Sequence, residues 1–220
     1  MFEDPESIIR YYEQRAPEYE QIYYRDIPQK QKELAVLSED LKQLSRDKTV
    51  LDLACGTGYW TVRISRTASY ILASDISGEM IDEAKKKSYR CPVDFVRADL
   101  YHLPVAAGSF DLITLGFWFS HEPLQNYDVF CGMLKPLLSE NGKIWMIDNN
   151  PPAEGPDLQS VGTDKYGNNY KQRFLNSGKE FAILKNYFSE NQLRDIFGKY
   201  YQIERLTNDE CYWSIVLSAH

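Results

Sequence analysis

Apolar residues in the first 45 positions recur at spacings of three and four, the period of a helix with one buried face. Ile8, Ile9 and Tyr12 mark such a face behind Asp4-Pro5, which reads as an N-cap and first helical residue, and Pro17 ends it. A second helix follows Pro28, with Leu34, Leu37, Leu41 and Leu44 on the side turned to a core. From about residue 49 the pattern changes to short apolar runs separated by helical stretches. Residues 50–53, 70–75, 94–100, 110–116 and 143–148 read as five strands, and the alternation predicts an α/β fold, a parallel, doubly wound sheet. Ser77 is placed to cap the helix after the second strand. Val129/Phe130, Met133/Leu134 and Leu137/Leu138 keep one helical face until Pro136 disturbs it, and Asn141-Gly142 turns the chain into the fifth strand.

After that strand the order breaks at Asn149-Asn150-Pro151-Pro152-Ala153-Glu154-Gly155-Pro156, an irregular connector. Residues 170–175 and 180–187 flank Asn176-Ser177-Gly178-Lys179 and read as a β-hairpin. Ser189 and Gln192 form a capping box for a last helix ending near Gly198, and strands at 201–206 and 212–218 complete the sheet. The 220 residues suffice for one substantial core. The expected organisation is a single domain with a helical cap at 1–45, a core at 46–150, an insertion at 151–188 and a terminal helix with strands at 189–220.

Composition narrows the partners. The formal net charge is −7, which argues against nucleic acid, because binding to a polyanion rests on clustered Lys and Arg. Lys85-Lys86-Lys87 falls at the end of a predicted helix, where cations complement the dipole. Cys55, Cys91, Cys131 and Cys211 are scattered, without a Cys-x-x-Cys pair, and read as reduced thiols. The first residues carry no apolar signal region and no run reaches the length of a membrane span, so a cytoplasmic protein without a membrane partner is expected.

The candidate chemistry lies at the strand ends. Val50-Leu51-Asp52-Leu53-Ala54-Cys55-Gly56-Thr57-Gly58 is an apolar run leading through an acid into a glycine turn, where the backbone can approach a ligand. Thr61 occupies the third glycine position of a dinucleotide fingerprint, which disfavours NAD. The second strand ends in Asp75, placed for ribose hydroxyls, and the third in Asp99 followed by Leu100. The fourth opens with Ser109-Phe110-Asp111. In this order, over about residues 45 to 150, the chain resembles the class I S-adenosylmethionine (SAM) dependent methyltransferases, with Ala54 where that family usually has glycine. The resemblance implies a Rossmann-like sheet of seven strands with an antiparallel last strand, an N-terminal helical lid and a hairpin insertion after strand five. It also implies SAM as cofactor, with S-adenosylhomocysteine (SAH) as product. The binding set it implies is Tyr19, Asp52, Ala54, Cys55, Gly56, Gly58, Asp75, Ile76, Asp99, Leu100, Gly116 and Phe117, with Asp99 facing the adenine and Tyr19 contributed by a lid over the cofactor.

Methyl transfer from a sulfonium is an in-line displacement, so an enzyme mainly holds the acceptor atom close and opposite sulfur and excludes water. Tyr11, Tyr12 and Tyr19, and Phe117, Trp118 and Phe119, are aromatic sets that either face the sulfonium or fill the core. His121 follows the fourth strand and is the candidate general base, the alternative being a histidine that orients its loop. His102 and His220 read as structural, and no cluster has metal-ligand spacing. Asn150-Pro151-Pro152 follows strand five and ends in Ala153, unlike the DNA-type motif, and Cys91 precedes its proline, unlike a cytosine C5 nucleophile. The expected function is methyl transfer to a small-molecule acceptor at O or N by a monomer or homodimer. Two alternatives stay open: a C-methyltransferase of an isoprenoid or quinone-like acceptor, and a SAM-binding regulatory or scaffold protein without turnover.

Overall fold

The computed structural model describes residues 5–24, 27–152 and 160–219. Asp4, expected to cap the first helix, and 153–156 of the connector lie outside the described residues. Five strands, β1 (Thr49–Leu53), β2 (Tyr70–Asp75), β3 (Val93–Arg97), β4 (Phe110–Gly116) and β5 (Leu138–Asn149), run parallel. Two further strands, β9 (Tyr201–Asn208) and β10 (Tyr212–Ala219), complete a seven-stranded sheet in the order β3-β2-β1-β4-β5-β10-β9. β10 is antiparallel to both neighbours, because a short turn from β9 leaves it no room for a crossover.

The central strands are apolar nearly throughout, as a sheet covered on both faces requires. Leu51, on β1, pairs in register with Leu72 of β2 and Ile113 of β4. One face packs Leu53, Leu115, Phe130 and Trp213; the other packs Val50, Leu112, Trp145 and Val216. Helix α2 (Pro28–Leu44) covers the second face with Leu34, Leu37 and Leu41, the stripe its spacing predicts. Its buried Glu33 accepts N–H bonds from Cys211 (3.0 Å) and Tyr212 (3.1 Å), fixing the helix to the β9–β10 turn. The remaining core helices are α3 (Tyr59–Ile64), α4 (Gly78–Lys85), α5 (Tyr127–Leu134) and α6 (Glu190–Phe197). Ser77 caps α4 and Ser189 with Gln192 forms the capping box of α6, both as expected.

Three local differences have physical reasons. β3 stops at Arg97, so Asp99 is not a strand end but the cap of a 3-10 turn, Leu100–His102, and it accepts from the Tyr101 N–H at 3.0 Å. β5 starts five residues early at Leu138, because Asn141 takes a left-handed φ of 63° and carries the strand through a bulge opposite β4. The insertion forms β7 (Asn169–Phe174) and β8 (Glu180–Leu184), joined by the expected turn, and adds β6 (Gly162–Thr163), a two-residue strand too short to show in the pattern.

This small sheet meets the first helix, α1 (Pro5–Arg15), which ends before Pro17 in a 3-10 segment, Ala16–Tyr24. Tyr11 is fully buried, edge-on to Phe181 with ring centres 5.4 Å apart, and packs with Leu175 and Ile183. Lys179 donates to Gln14 (2.9 Å) and the Asn176 N–H to Glu18 (3.2 Å). N-terminal helix and insertion thus form one roof over the carboxyl ends of the strands. Among the described residues no helix is long and apolar enough to cross a membrane.

Candidate functional site

Under that roof lies a cavity of about 740 Å³, within the range of small-molecule sites. Its floor is the first βα turn and the ends of β2 and β4; its far wall is the loop after β4 and the insertion.

The turn after β1 is built from three alternate left-handed positions: Ala54 (φ 47°), Gly56 (56°) and Gly58 (81°). A methyl-bearing residue at the first of these is strained, and that explains why glycine is the family's usual choice where this chain has Ala54. Gly56 brings bare backbone to the cavity beneath the Tyr19 ring; a Cβ there would sit 3.8 Å from Tyr19 Cε1. Gly58 serves packing instead, since its Cβ would lie 2.7 Å from the Tyr89 hydroxyl and 3.1 Å from Ala84 Cβ. Gly116 does line the cavity, but its missing side chain is required by Trp60, whose ring would be 2.5 Å from a Cβ.

The three acids differ in situation. Asp75 is buried at the cavity floor and accepts the Gly56 N–H (2.8 Å) and the Ser77 N–H (2.9 Å), so one carboxylate joins two loops and keeps lone pairs toward the cavity. Burial raises its pKa against those two hydrogen bonds. Asp52 is buried beside a smaller side cavity shared with Cys55, and the hydroxyls of Thr61 (2.6 Å) and Thr114 (2.7 Å) occupy its oxygens. Burial pushes its pKa up to about 6, and Asp52 lies behind the turn, off the main cavity. Asp99 lines the main cavity with Leu100, and its second oxygen faces His102 Nδ1 at 3.2 Å. Ile76 and Phe117 complete this half. Phe117 holds a left-handed φ of 61°, a strain the surrounding Tyr23, Trp60 and Tyr212 rings over-determine.

His121 lies at the far wall. Its Nδ1 is 2.6 Å from the Leu184 carbonyl, so that nitrogen carries the proton, and Nε2 accepts from the Tyr12 hydroxyl at 2.7 Å. Burial, with Lys185 nearby, lowers its pKa to about 3, partly opposed by Asp148. The imidazole is therefore neutral at neutral pH, not poised to titrate there. Tyr12 packs edge-on against His121 and Tyr19, and its phenol is held neutral by burial. Behind the pair Asp148, fully buried at the end of β5, accepts from Lys185 (2.9 Å) and the Ser120 N–H (2.9 Å), while Lys185 reaches Ser120 Oγ (2.6 Å).

The structure gathers Tyr19, Ala54, Gly56, Asp75, Ile76, Asp99, Leu100, Gly116, Phe117 and His121 on one cavity and leaves Asp52, Cys55 and Gly58 behind it. Sequence reasoning missed the Tyr12–His121 hydrogen bond and the Asp148–Lys185 pair. A signal existed for Asp148, another acid ending an apolar strand; none existed for Lys185, which only the hairpin brings near. Among the described residues no group of His, Cys, Asp or Glu is arranged to hold a metal ion.

A family model described as a methyltransferase domain matches residues 50–142. The demethylmenaquinone methyltransferases of Lactococcus lactis and Thermus thermophilus are 28% identical over 111 residues and 29% identical over 120. These alignments take in 48% and 53% of this chain and 43% and 54% of the relatives, so the chain spans about half the length of the curated relatives it matches. The solved structure of DhpI in complex with SAH superposes over 97% of this chain and 96% of its own with a TM-score of 0.78 at 24% identity, a likeness of fold. In its matched core the chain is similar to methyltransferase domains, and its seven-stranded order with one reversed strand shares the fold of a methyltransferase-like structure solved with SAH.

Proposed function

We propose that the protein transfers a methyl group from SAM to a small-molecule acceptor, and that the attacking atom is an oxygen. The observation that carries this reading is the continuity of the cavity: one space runs from Gly56, Asp75 and Asp99 to the Tyr12–His121 pair beneath the insertion. Its residues fit the cofactor. Gly56 offers bare backbone, Asp75 has lone pairs for ribose hydroxyls, and Leu100 and Ile76 supply apolar walls for a base. When bound, SAM supplies an electrophilic methyl on a sulfonium. The protein's own part is to hold the acceptor in line and to exclude water, which the roof of α1 and insertion does by covering the strand ends.

His121 is proposed as a catalytic residue together with Tyr12. A neutral imidazole with a pKa near 3 is a weak proton acceptor, so His121 Nε2 polarises the Tyr12 hydroxyl, and that hydroxyl orients the acceptor. Such a site suits a nucleophile that arrives as an oxyanion. An amine, which becomes cationic on methylation, is disfavoured beside Lys185 and Arg173, the cations that act on this pair. The insertion's polar residues Asp164, Asn168 and Tyr170 line the acceptor end and favour a polar compound over an isoprenoid one. DhpI has been solved with SAM and HEP together, which supports a small molecule beside the cofactor in this fold. Transfer of labelled methyl from SAM across a panel of carboxylates, phenols, phosphoryl compounds, amines and quinols tests the reading. Label in oxygen acceptors is expected; label confined to amines or ring carbons refutes the oxygen assignment. Tight SAH binding with no transfer to any compound favours the scaffold alternative.

A further inference from the structure

Strand β8 is an edge of the small sheet, whose order is β6-β7-β8, so its outer carbonyls have no further strand of that sheet to pair with. One of them, at Leu184, takes the His121 Nδ1–H at 2.6 Å. The next two residues grip the histidine's neighbours. Lys185 Nζ reaches Ser120 Oγ (2.6 Å), the Asn186 N–H donates to the Ser120 carbonyl (2.8 Å), and Asn186 Nδ2 donates to the Glu122 carbonyl (3.3 Å). Asn186 thus holds the residue on each side of His121.

The Asn186 side chain is only 2% exposed and does not border the cavity, so it cannot meet an acceptor directly. Its Oδ1 accepts the Asn169 N–H (3.0 Å), which fixes the amide's orientation, and Nδ2 also meets Asn168 Oδ1 at 3.2 Å. A neutral imidazole carries one N–H, and the partner of one nitrogen decides which. A carbonyl can only accept, so Leu184 held at this spacing keeps the proton on Nδ1 and leaves Nε2 for the Tyr12 hydroxyl at 2.7 Å. The backbone of the loop has anchors of its own, the Ser120 N–H on Asp148 (2.9 Å) and the His121 N–H on the Trp118 carbonyl (2.8 Å). If segment 184–186 shifts, those anchors keep the loop, and it is the imidazole that loses its reference.

We propose that Asn186 is a positioning residue for the reaction: by binding Ser120 and Glu122 it seats the insertion's strand end on the loop and so sets the tautomer and aim of His121 toward Tyr12. This rests on the role of His121 and Tyr12 given above. Imidazole nitrogen NMR on labelled protein distinguishes the two tautomers, and His121→Asn assigns the signal among the three histidines. The wild type should show His121 as the Nδ1–H form at neutral pH, and Asn186→Ala a mixture of tautomers. With the oxygen compound that takes most label from SAM as acceptor, Asn186→Ala should lower kcat by about 10-fold or more with KM within about threefold, the pattern of a misplaced group. In a His121→Ala background the same change should cost no more than about twofold, because its route is gone. Wild-type tautomer and turnover in Asn186→Ala overturn the proposal, as does an equal loss with and without His121, which would make Asn186 a support of the fold alone. If Asn186→Ala does not fold, Asn186→Asp, which keeps the acceptor for Asn169 and removes the Nδ2 donors, carries the same measurements; a wild type with the proton on Nε2 overturns the proposal whatever the variants do. Full turnover in His121→Ala instead overturns the underlying reading, a failure read from that single variant and distinct from all of these.

Discussion

The two halves of the cavity are held together in opposite ways. On the proposed cofactor side, Asp75 and Asp99 sit at or just beyond the end of a strand and accept backbone N–H groups of nearby loops; Asp75 reaches back only to Gly56 and on to Ser77. On the proposed acceptor side the bonds join distant segments: Tyr12 to His121, His121 to Leu184, and Asp148 to Lys185. The first half is a property of the sheet and exists wherever the sheet does. The second exists only when α1 and the insertion have docked, so it can differ widely between proteins that share the first. Shared fold with a private acceptor end follows from this arrangement.

If the division is real, damage to one half should leave the other measurable. The largest separation is expected at His121. His121→Ala should lower turnover by about 10²-fold or more, the scale of lost proton or hydrogen-bond assistance, with SAH affinity in calorimetry nearly unchanged. Equal loss of both would merge the halves. The same residue carries a pH signature. Its pKa lies at about 3 folded against 6.5 unfolded, so the unfolded chain binds the extra proton and stability falls as pH drops from 6.5 toward 3. His121→Asn should flatten that part of a urea-midpoint profile. Asp52 works in the other sense, losing stability as pH rises through 4 to 6.

A smaller effect, on the opposite side, is expected at Asp75. Asp75→Ala should weaken SAH by about 1.5 to 3 kcal/mol, the range for hydrogen bonds to a charged group, while the Tyr12–His121 geometry persists in a crystal structure of the variant. Unchanged affinity would remove Asp75 from the cofactor half. The smallest is at Ala54. Ala54→Gly relieves a φ of 47° and should raise stability by up to about 1 kcal/mol, read as a higher urea midpoint without a change in slope. No gain would mean that the unfolded chain's extra freedom at glycine offsets the relief.

How much of this was legible in the sequence follows the same division. β2 and β4 were readable to the residue, because an apolar run between turn signals leaves little freedom, and so was the α6 capping box, whose partners are three residues apart. Asp75 and Asp99 were singled out by their place after such runs, and both line the cavity. The exit of β3 at Arg97 was not, since Ala98 and Asp99 continue the strand pattern and only the cap to Tyr101 decides the turn. His121 was singled out by position, but its tautomer and lowered pKa depend on Leu184 and Lys185, more than sixty residues away. No periodicity or spacing encodes such a contact; it arises when the insertion folds back.

The position of β10 bears on how the molecule is made. Between β5 and β9, it is the strand that fills the edge of β5, yet it leaves the ribosome some sixty residues later. At ordinary translation rates that interval is about 3 to 12 seconds, during which Ile144, Met146 and their neighbours present open N–H and C=O groups on an apolar strand. Glu33 waits about three times as long for the Cys211 and Tyr212 N–H groups that seat α2. A nascent chain of this design holds the strand ends that floor its cavity before it can close its own sheet, and its hazard during synthesis is concentrated on that one uncovered strand.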